Sequence, residues 1–275
     1  MKKNVLVLLL LFLGITIMQA QVSWKRKGTK KTGDVLLFHS TQVVNLPTAE
    51  VINKGELQFE VSHRFLPPVD ADKAFLGLDG PAYIRLALGY VPVKNLAVTL
   101  GRSNNQDNYD LRIKYKFLQL PGEILPLTAA VRIGTAWNTE VIDRKTSDPK
   151  NFQYYGQAVL NTLLFKKLGI GVVPSYLYNS HIYCEETRYS FTLGSYLQFY
   201  ISPMWSLLLE ANNTVSGWRN QYDSYTFGFE LETGGHFFKV FLTNAAALNP
   251  SQFLAGADLN KQWRLGFNLT RVLTF

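Results

Sequence analysis

The residues best equipped for catalysis are few and far apart. The histidines are His39, His63, His181 and His236, and the one cysteine is Cys184. Hydrolysis of an ester or amide needs a nucleophile, a base and an orienting group within hydrogen-bond reach of one another. His63 is the best candidate base, with Ser62 beside it. Neighbouring residues of a strand point to opposite faces, so this pair diverges if the segment is extended, and His63 reads as a rim residue. Asp70, Asp72 and Asp79 could gather around calcium but lack the one-three-five spacing of a tight calcium loop, so they read as a solvated loop. Cys184 has no partner in the chain and sits before Glu185 and Glu186, a poor setting for a reactive thiol. Gly169-Ile170-Gly171 leads into a strand pattern, whereas a dinucleotide loop leads into a helix. No catalytic set, metal site or cofactor is expected, and the protein is read as not an enzyme. The alternative is a barrel-embedded lipid-modifying hydrolase using His63.

Charge at alternate positions is far more plentiful. From Tyr109 to Phe117 every odd residue is apolar or aromatic and every even one is charged, the period of a half-buried strand. Thr187 to Tyr200 and Ser224 to Glu232 repeat the pattern. The whole chain then reads as about twelve strands, near 56–65, 82–91, 96–103, 109–117, 126–137, 152–165, 168–179, 187–200, 204–215, 223–232, 236–243 and 263–274. Connections after odd-numbered strands tend to be long and polar (66–81, 138–151, 244–262), and those after even-numbered strands are mostly tight. Long loops at one end and short turns at the other are the habit of a barrel in the outer membrane.

Composition agrees. The chain has 275 residues, is 47% hydrophobic and only 17% charged, and its lone cysteine excludes disulfide scaffolds, zinc ribbons and iron–sulfur proteins. Lys2 and Lys3 precede an apolar run from Val5 to Ile17, which reads as a signal peptide cut after Ala20. Its removal leaves 26 basic and 20 acidic residues, with a basic cluster at Lys25, Arg26, Lys27, Lys30 and Lys31. The expected domains are 1–20 as signal, 21–55 as a basic periplasmic segment or partial plug, and 56–275 as the barrel. No later stretch is long and apolar enough for a helical span, so membrane residence must use strands. Tyr109, Trp137, Tyr176, Tyr178, Tyr189 and Tyr225 fall near long-loop ends, and Tyr90, Phe117, Phe165, Phe199, Tyr200 and Trp205 near short turns. Two such belts match the headgroup levels of a bilayer.

With the apolar face outward, the polar face lines a lumen. Its expected charge network comprises Glu56, Glu60, Arg64, Arg85, Arg112, Lys114, Lys116, Arg132, Arg188, Glu210, Glu230, Glu232 and Arg264, with Asp110 and Lys239 on the same face. Charges buried inside a twelve-stranded wall must pair, which predicts an occluded bore with a slight anion preference. In the last strand Trp263, Leu265, Phe267, Leu269, Leu273 and Phe275 alternate up to the final residue, interrupted by Arg271. A terminal aromatic of this kind resembles the assembly signal read by the barrel-insertion machinery, here carried by Phe267, Leu269, Leu273 and Phe275.

Short motifs add a family resemblance: His63-Arg64-Phe65, Gly77-Leu78-Asp79, Ile84-Arg85-Leu86 with Gly89-Tyr90, Gly101-Arg102-Ser103 and Gly266-Phe267-Asn268. In this order they resemble a domain-of-unknown-function family of bacterial outer-membrane β-barrels, over roughly residues 40–275. The resemblance implies a barrel and brings no established activity. The expected protein is therefore an all-β transmembrane antiparallel barrel in the outer membrane of a Gram-negative bacterium. Its expected role is structural or narrow transport. Outer-membrane lipids, the barrel-assembly machinery and a small solute or periplasmic protein are the expected partners, and nucleic acid is not.

Overall fold

The structure, a computed structural model, describes residues 34–260 and 262–274. The signal segment, the basic cluster at 25–31 and Phe275 lie outside the described residues. The wall is built from β1 (Leu57–Phe65), β2 (Ala82–Val93), β3 (Leu96–Ser103), β4 (Asn108–Leu120), β5 (Leu127–Asn138) and β6 (Phe152–Leu164). It continues through β7 (Leu168–Tyr178), β8 (Tyr189–Tyr200), β9 (Trp205–Gly217), β10 (Ser224–Glu232), β11 (His236–Thr243) and β12 (Arg264–Leu273). Each strand pairs antiparallel with the next, and β12 returns to β1, closing a twelve-stranded barrel. Closure leaves no unpaired edge, the condition for a sheet to stand in lipid.

Alternation sets the two faces. On β8 each residue from Tyr189 to Tyr200 switches between exposed and buried, with Phe191, Leu193, Leu197 and Phe199 outward. Leu111, Phe227 and Phe229 are likewise exposed, while Arg112 and Lys114 point inward and are buried. Apolar outside and charged inside inverts the soluble pattern. Most aromatics at the strand ends point outward as the two belts require, but Tyr200 is turned inward, where its hydroxyl bonds the Leu37 carbonyl at 3.3 Å.

Tight turns join the strands at the end where β1 begins and β12 stops. There Phe165 and Lys166 take left-handed φ of 52° and 56° in the β6–β7 turn, and Gly234 and Gly235 supply φ of 70° and 106° between β10 and β11. At the other end loops are longer, except the β3–β4 connection, which is only 104–107.

The interior is filled from both ends. Residues 34–55 run into the barrel from the turn end, and the β11–β12 loop, with a short helix α1 (Pro250–Leu254), folds in from the opposite end. Leu37, Phe38, Val43, Val44, Leu46 and Ala49 of the first segment meet Ala245, Phe253 and Ala257 of the second in one apolar cluster with inward wall residues Val159, Val173, Tyr196, Leu208 and Phe241.

Candidate functional site: the filled lumen

A polypeptide inside a barrel has no sheet of its own, so its buried backbone groups must find partners on the wall. Residues 34–55 make two backbone-to-backbone bonds across their own bend, Val43 N to Leu46 O and Thr48 N to Thr41 O, and their own Glu50 accepts from the N–H groups of Leu37 and Phe38. The wall supplies much of the rest. Glu210 accepts from the backbone N–H of Val44 (3.1 Å), Asn45 (2.9 Å) and Leu46 (2.9 Å), so three successive donors close around one carboxylate. Lys114 donates to the carbonyls of Thr41 and Thr48, Lys239 to that of Gln42, Lys116 to that of Val35, and Asn268 to that of Val44. Asn161 accepts from the Ala49 N–H, and Tyr196 donates to the Pro47 carbonyl.

Ion pairs fix the rest of the charged wall. Glu60 on β1 receives Arg85 at 2.9 Å and Arg112 at 2.8 Å, and Asp110 receives the same two guanidiniums at 2.9 and 3.2 Å. Arg85 reaches from β2 to Asp110 on β4 by passing over β3 at Gly101. A Cβ there would stand 2.2 Å from the Arg85 guanidinium, so the glycine is what lets the arginine cross. Lys116 pairs with Glu50 of the inserted segment at 2.9 Å, and Lys239 with Glu230 at 3.2 Å. Ser40 and Gln198 also bond Glu230, and His39 stands 3.4 Å from it. Arg64 bonds Asn45 and Asn268 and lies 4.3 Å from the centre of the Phe241 ring.

Two inward glycines shape the opposite wall. A Cβ at Gly169 would meet the Phe38 ring at 2.8 Å, and one at Gly194 would meet the Leu46 methyls at 2.8 Å. The hollows left by these glycines hold the two largest apolar side chains that the inserted segment presents to β7 and β8.

A family model described as "Membrane bound beta barrel domain (DUF5777)" matches residues 38–273, nearly all of the barrel and most of the inserted segment. The chain belongs to this family. Among solved structures it is similar to the NanC porin, with 10% identity over 80% of this chain and 99% of that one and a TM-score of 0.49. It is also similar to the KdgM porin (8% identity, 80% and 99% covered, TM-score 0.46). A third is an outer membrane channel from Pseudomonas putida F1 (16% identity, 82% and 98% covered, TM-score 0.48). No curated protein matches the chain. The family description and the apolar outer surface make this a membrane-spanning barrel of the outer-membrane type, resident in the outer membrane of a Gram-negative bacterium.

The structure brings Glu60, Arg64, Arg85, Arg112, Lys114, Lys116, Arg132, Glu210 and Glu230 into the lumen, all buried. Four residues expected in the same network do other work. Arg188 is a correction: pairing of β8 begins at Tyr189, so Arg188 lies beyond the wall, exposed, and pairs with Glu186 of its own loop. Glu232 is another, because at the end of β10 its carboxylate accepts the N–H groups of Gly234 and Gly235 and caps the turn. Glu56 is buried at the turn end, where it accepts from Asn53 and from Thr274 beyond β12. Arg264 is buried at the loop end and holds Asp258 at 2.7 Å, tying down the β11–β12 loop. Glu50, Ser40 and Asn45 were not in the expected network. They sit on a segment without strand periodicity, and no local signal marks them.

His63 points outward, stacks on Phe267 at 4.9 Å and lies tilted against Phe65 at 4.4 Å, and its Nδ1 has no hydrogen-bond partner among the described residues. Ser62 is on the inward face. Asp70, Asp72 and Asp79 are exposed along their loop. Phe267 is exposed on β12 and Leu269 and Leu273 share its outward face.

Proposed function

We propose that this protein is a non-enzymatic outer-membrane barrel of narrow-transport type, closed in its ground state by residues 34–55 and the β11–β12 loop. Solute passes when the inserted segment yields. The observation that carries this reading is the match between segment and wall: wall side chains take up the segment's backbone donors and acceptors, and two wall glycines receive Phe38 and Leu46. A bore of twelve strands is already narrow, and a segment folded into it from the turn end, met by the β11–β12 loop from the other, narrows it further. The cationic excess of the buried wall favours anions over cations in any path that opens. The outward row Phe267, Leu269 and Leu273 is the part of the chain offered to the barrel-assembly machinery.

Single-channel recording of the reconstituted full chain tests the proposal. The unaltered protein should show little steady conductance. The double variant Gly169→Leu/Gly194→Leu fills both hollows, so it should expel the segment and open an anion-preferring path. A large, steady, weakly selective conductance from the unaltered protein would overturn it.

A further inference from the structure

Lys114 and Arg132 stand directly opposite each other on β4 and β5, both inward and only 7% and 4% exposed. Like charges at opposed positions of adjacent strands repel, and burial weakens the screening that would relieve them. Their neighbours are compensated: Arg85 and Arg112 share Glu60 and Asp110, and Lys116 has Glu50. Among the described residues neither Lys114 nor Arg132 has a carboxylate within ion-pair distance. Lys114 spends its ammonium on two backbone carbonyls, Thr41 O and Thr48 O. Arg132 spends its Nε on Gln157 at 2.7 Å, and its guanidinium stands 5.9 Å from the centre of the Tyr155 ring.

A cavity of about 30 Å³ touches both cations, at the seam where Thr41 and Gln42 of the inserted segment meet the wall. A water needs ~10–15 Å³ on this measure, so the space suits one small ion and not a phosphate ester or a sugar acid. Glu60 and Arg112 also border it, but Glu60 Oε2 is taken up by Arg85 and Arg112 and its Oε1 accepts from Gln58 at 2.7 Å. Thr99 on β3 faces the same space and is partly exposed, which leaves a way in from the lumen margin.

We infer that the seam between the inserted segment and β4–β5 is a binding site for one small monovalent anion of halide size, held between Lys114 and Arg132. The ion cancels the repulsion of the pair while Lys114 keeps its bonds to the segment, so occupancy also strengthens the hold on residues 34–55. The site does not depend on whether the filled lumen is closed to solutes.

The test uses the full chain folded in detergent. Melting in sodium chloride, sodium bromide and sodium gluconate at equal ionic strength should give a higher melting temperature in the two halides. The rise should saturate with concentration, as expected when a ligand binds the folded state alone. Arg132→Gln removes half of the repelling pair, so it should stay folded and lose the halide dependence. A crystal grown in bromide should show anomalous density between Lys114 and Arg132. Equal melting in the three salts, or bromide density absent from this position, would overturn the inference. If Arg132→Gln does not fold, the bromide position in the unaltered protein decides.

Discussion

The two sides of the lumen are made differently. On β1 to β5 the inward face carries Glu60, Arg85, Asp110, Arg112, Lys114, Lys116 and Arg132, a band of buried charge. On β6 to β8 it carries Gln157, Asn161, Val173, Ser175, Thr192, Tyr196 and Gln198, with no buried ionised group. The inserted segment is matched to both. Its carbonyls at Val35, Thr41 and Thr48 face lysines of the first side, and its apolar side chains Phe38 and Leu46 enter hollows of the second. The charged side therefore holds the backbone by ions, and the neutral side supplies apolar contact together with neutral hydrogen bonds from Asn161, Tyr196 and Tyr200. Charge placement is directional and penalises any shift of partner, whereas apolar packing is broad and tolerates sliding.

The comparison can be broken most severely at Glu60. Glu60→Gln leaves Arg85 and Arg112 sharing a single carboxylate in a buried setting, and breaking such pairs costs about 3–5 kcal/mol. Urea unfolding in detergent should show a loss of that size in the barrel as a whole. An unchanged midpoint would mean that the charged side does not hold the wall together.

The neutral side should respond more locally. Leu46 is fully buried, and Leu46→Ala removes a side chain whose loss costs about 2–5 kcal/mol in a core. The change falls on the inserted segment, so hydrogen exchange and protease cutting within 34–55 should rise while the heat-modified gel shift of the barrel stays as it was. Loss of the gel shift would show that segment and wall fold as one unit.

Glu230 and Glu232 sharpen the contrast within one strand. Glu230→Gln takes the partner from buried Lys239 and should destabilise measurably, whereas Glu232→Gln weakens a turn cap worth about 0.5–1.5 kcal/mol per hydrogen bond. Thermal melting of the two variants should separate them in that order. Equal losses would put Glu232 back into the lumenal network.

The smallest effect lies in the outer loops. His181 stacks on Trp218 at 4.4 Å, and burial, followed by the nearby Arg188, holds its pKa below the ordinary histidine value. The unfolded loop then binds the proton more readily than the folded one. The packing contribution is complete above about pH 6.5 and is lost as pH falls through the lower folded value. Trp218 fluorescence should follow this on acidification, and His181→Phe should abolish the change. A midpoint above the ordinary value would reverse the sign and discard the argument.

The wall itself was legible from the chain because period-two alternation is a local property. Tyr109 to Phe117 announces β4 with no knowledge of its neighbours, and the row ending at Leu273 announces the closing strand in the same way. Loop length was local too, so the two ends of the barrel could be told apart. Faces follow from strands, and charged residues on the inward parity are buried where the strand continues past them. Parity misleads at Arg188 and Glu232, where the paired wall stops or a turn begins, since it says which way a side chain points and not whether a lumen is still beside it.

The amino-acid sequence by itself determined the strands, their faces, the closed membrane barrel and the presence of buried charge of both signs. Tertiary structure alone decided what fills that barrel and which charges meet. Residues 34–55 have no periodicity to declare a place. Their position depends on lysines, carboxylates and two glycines that closure brings together from strands far apart in the chain. Which side chains share a lumen level is set by the register of every ladder at once, from β1 around to β12. A non-local condition of that kind leaves no mark in any short stretch of sequence.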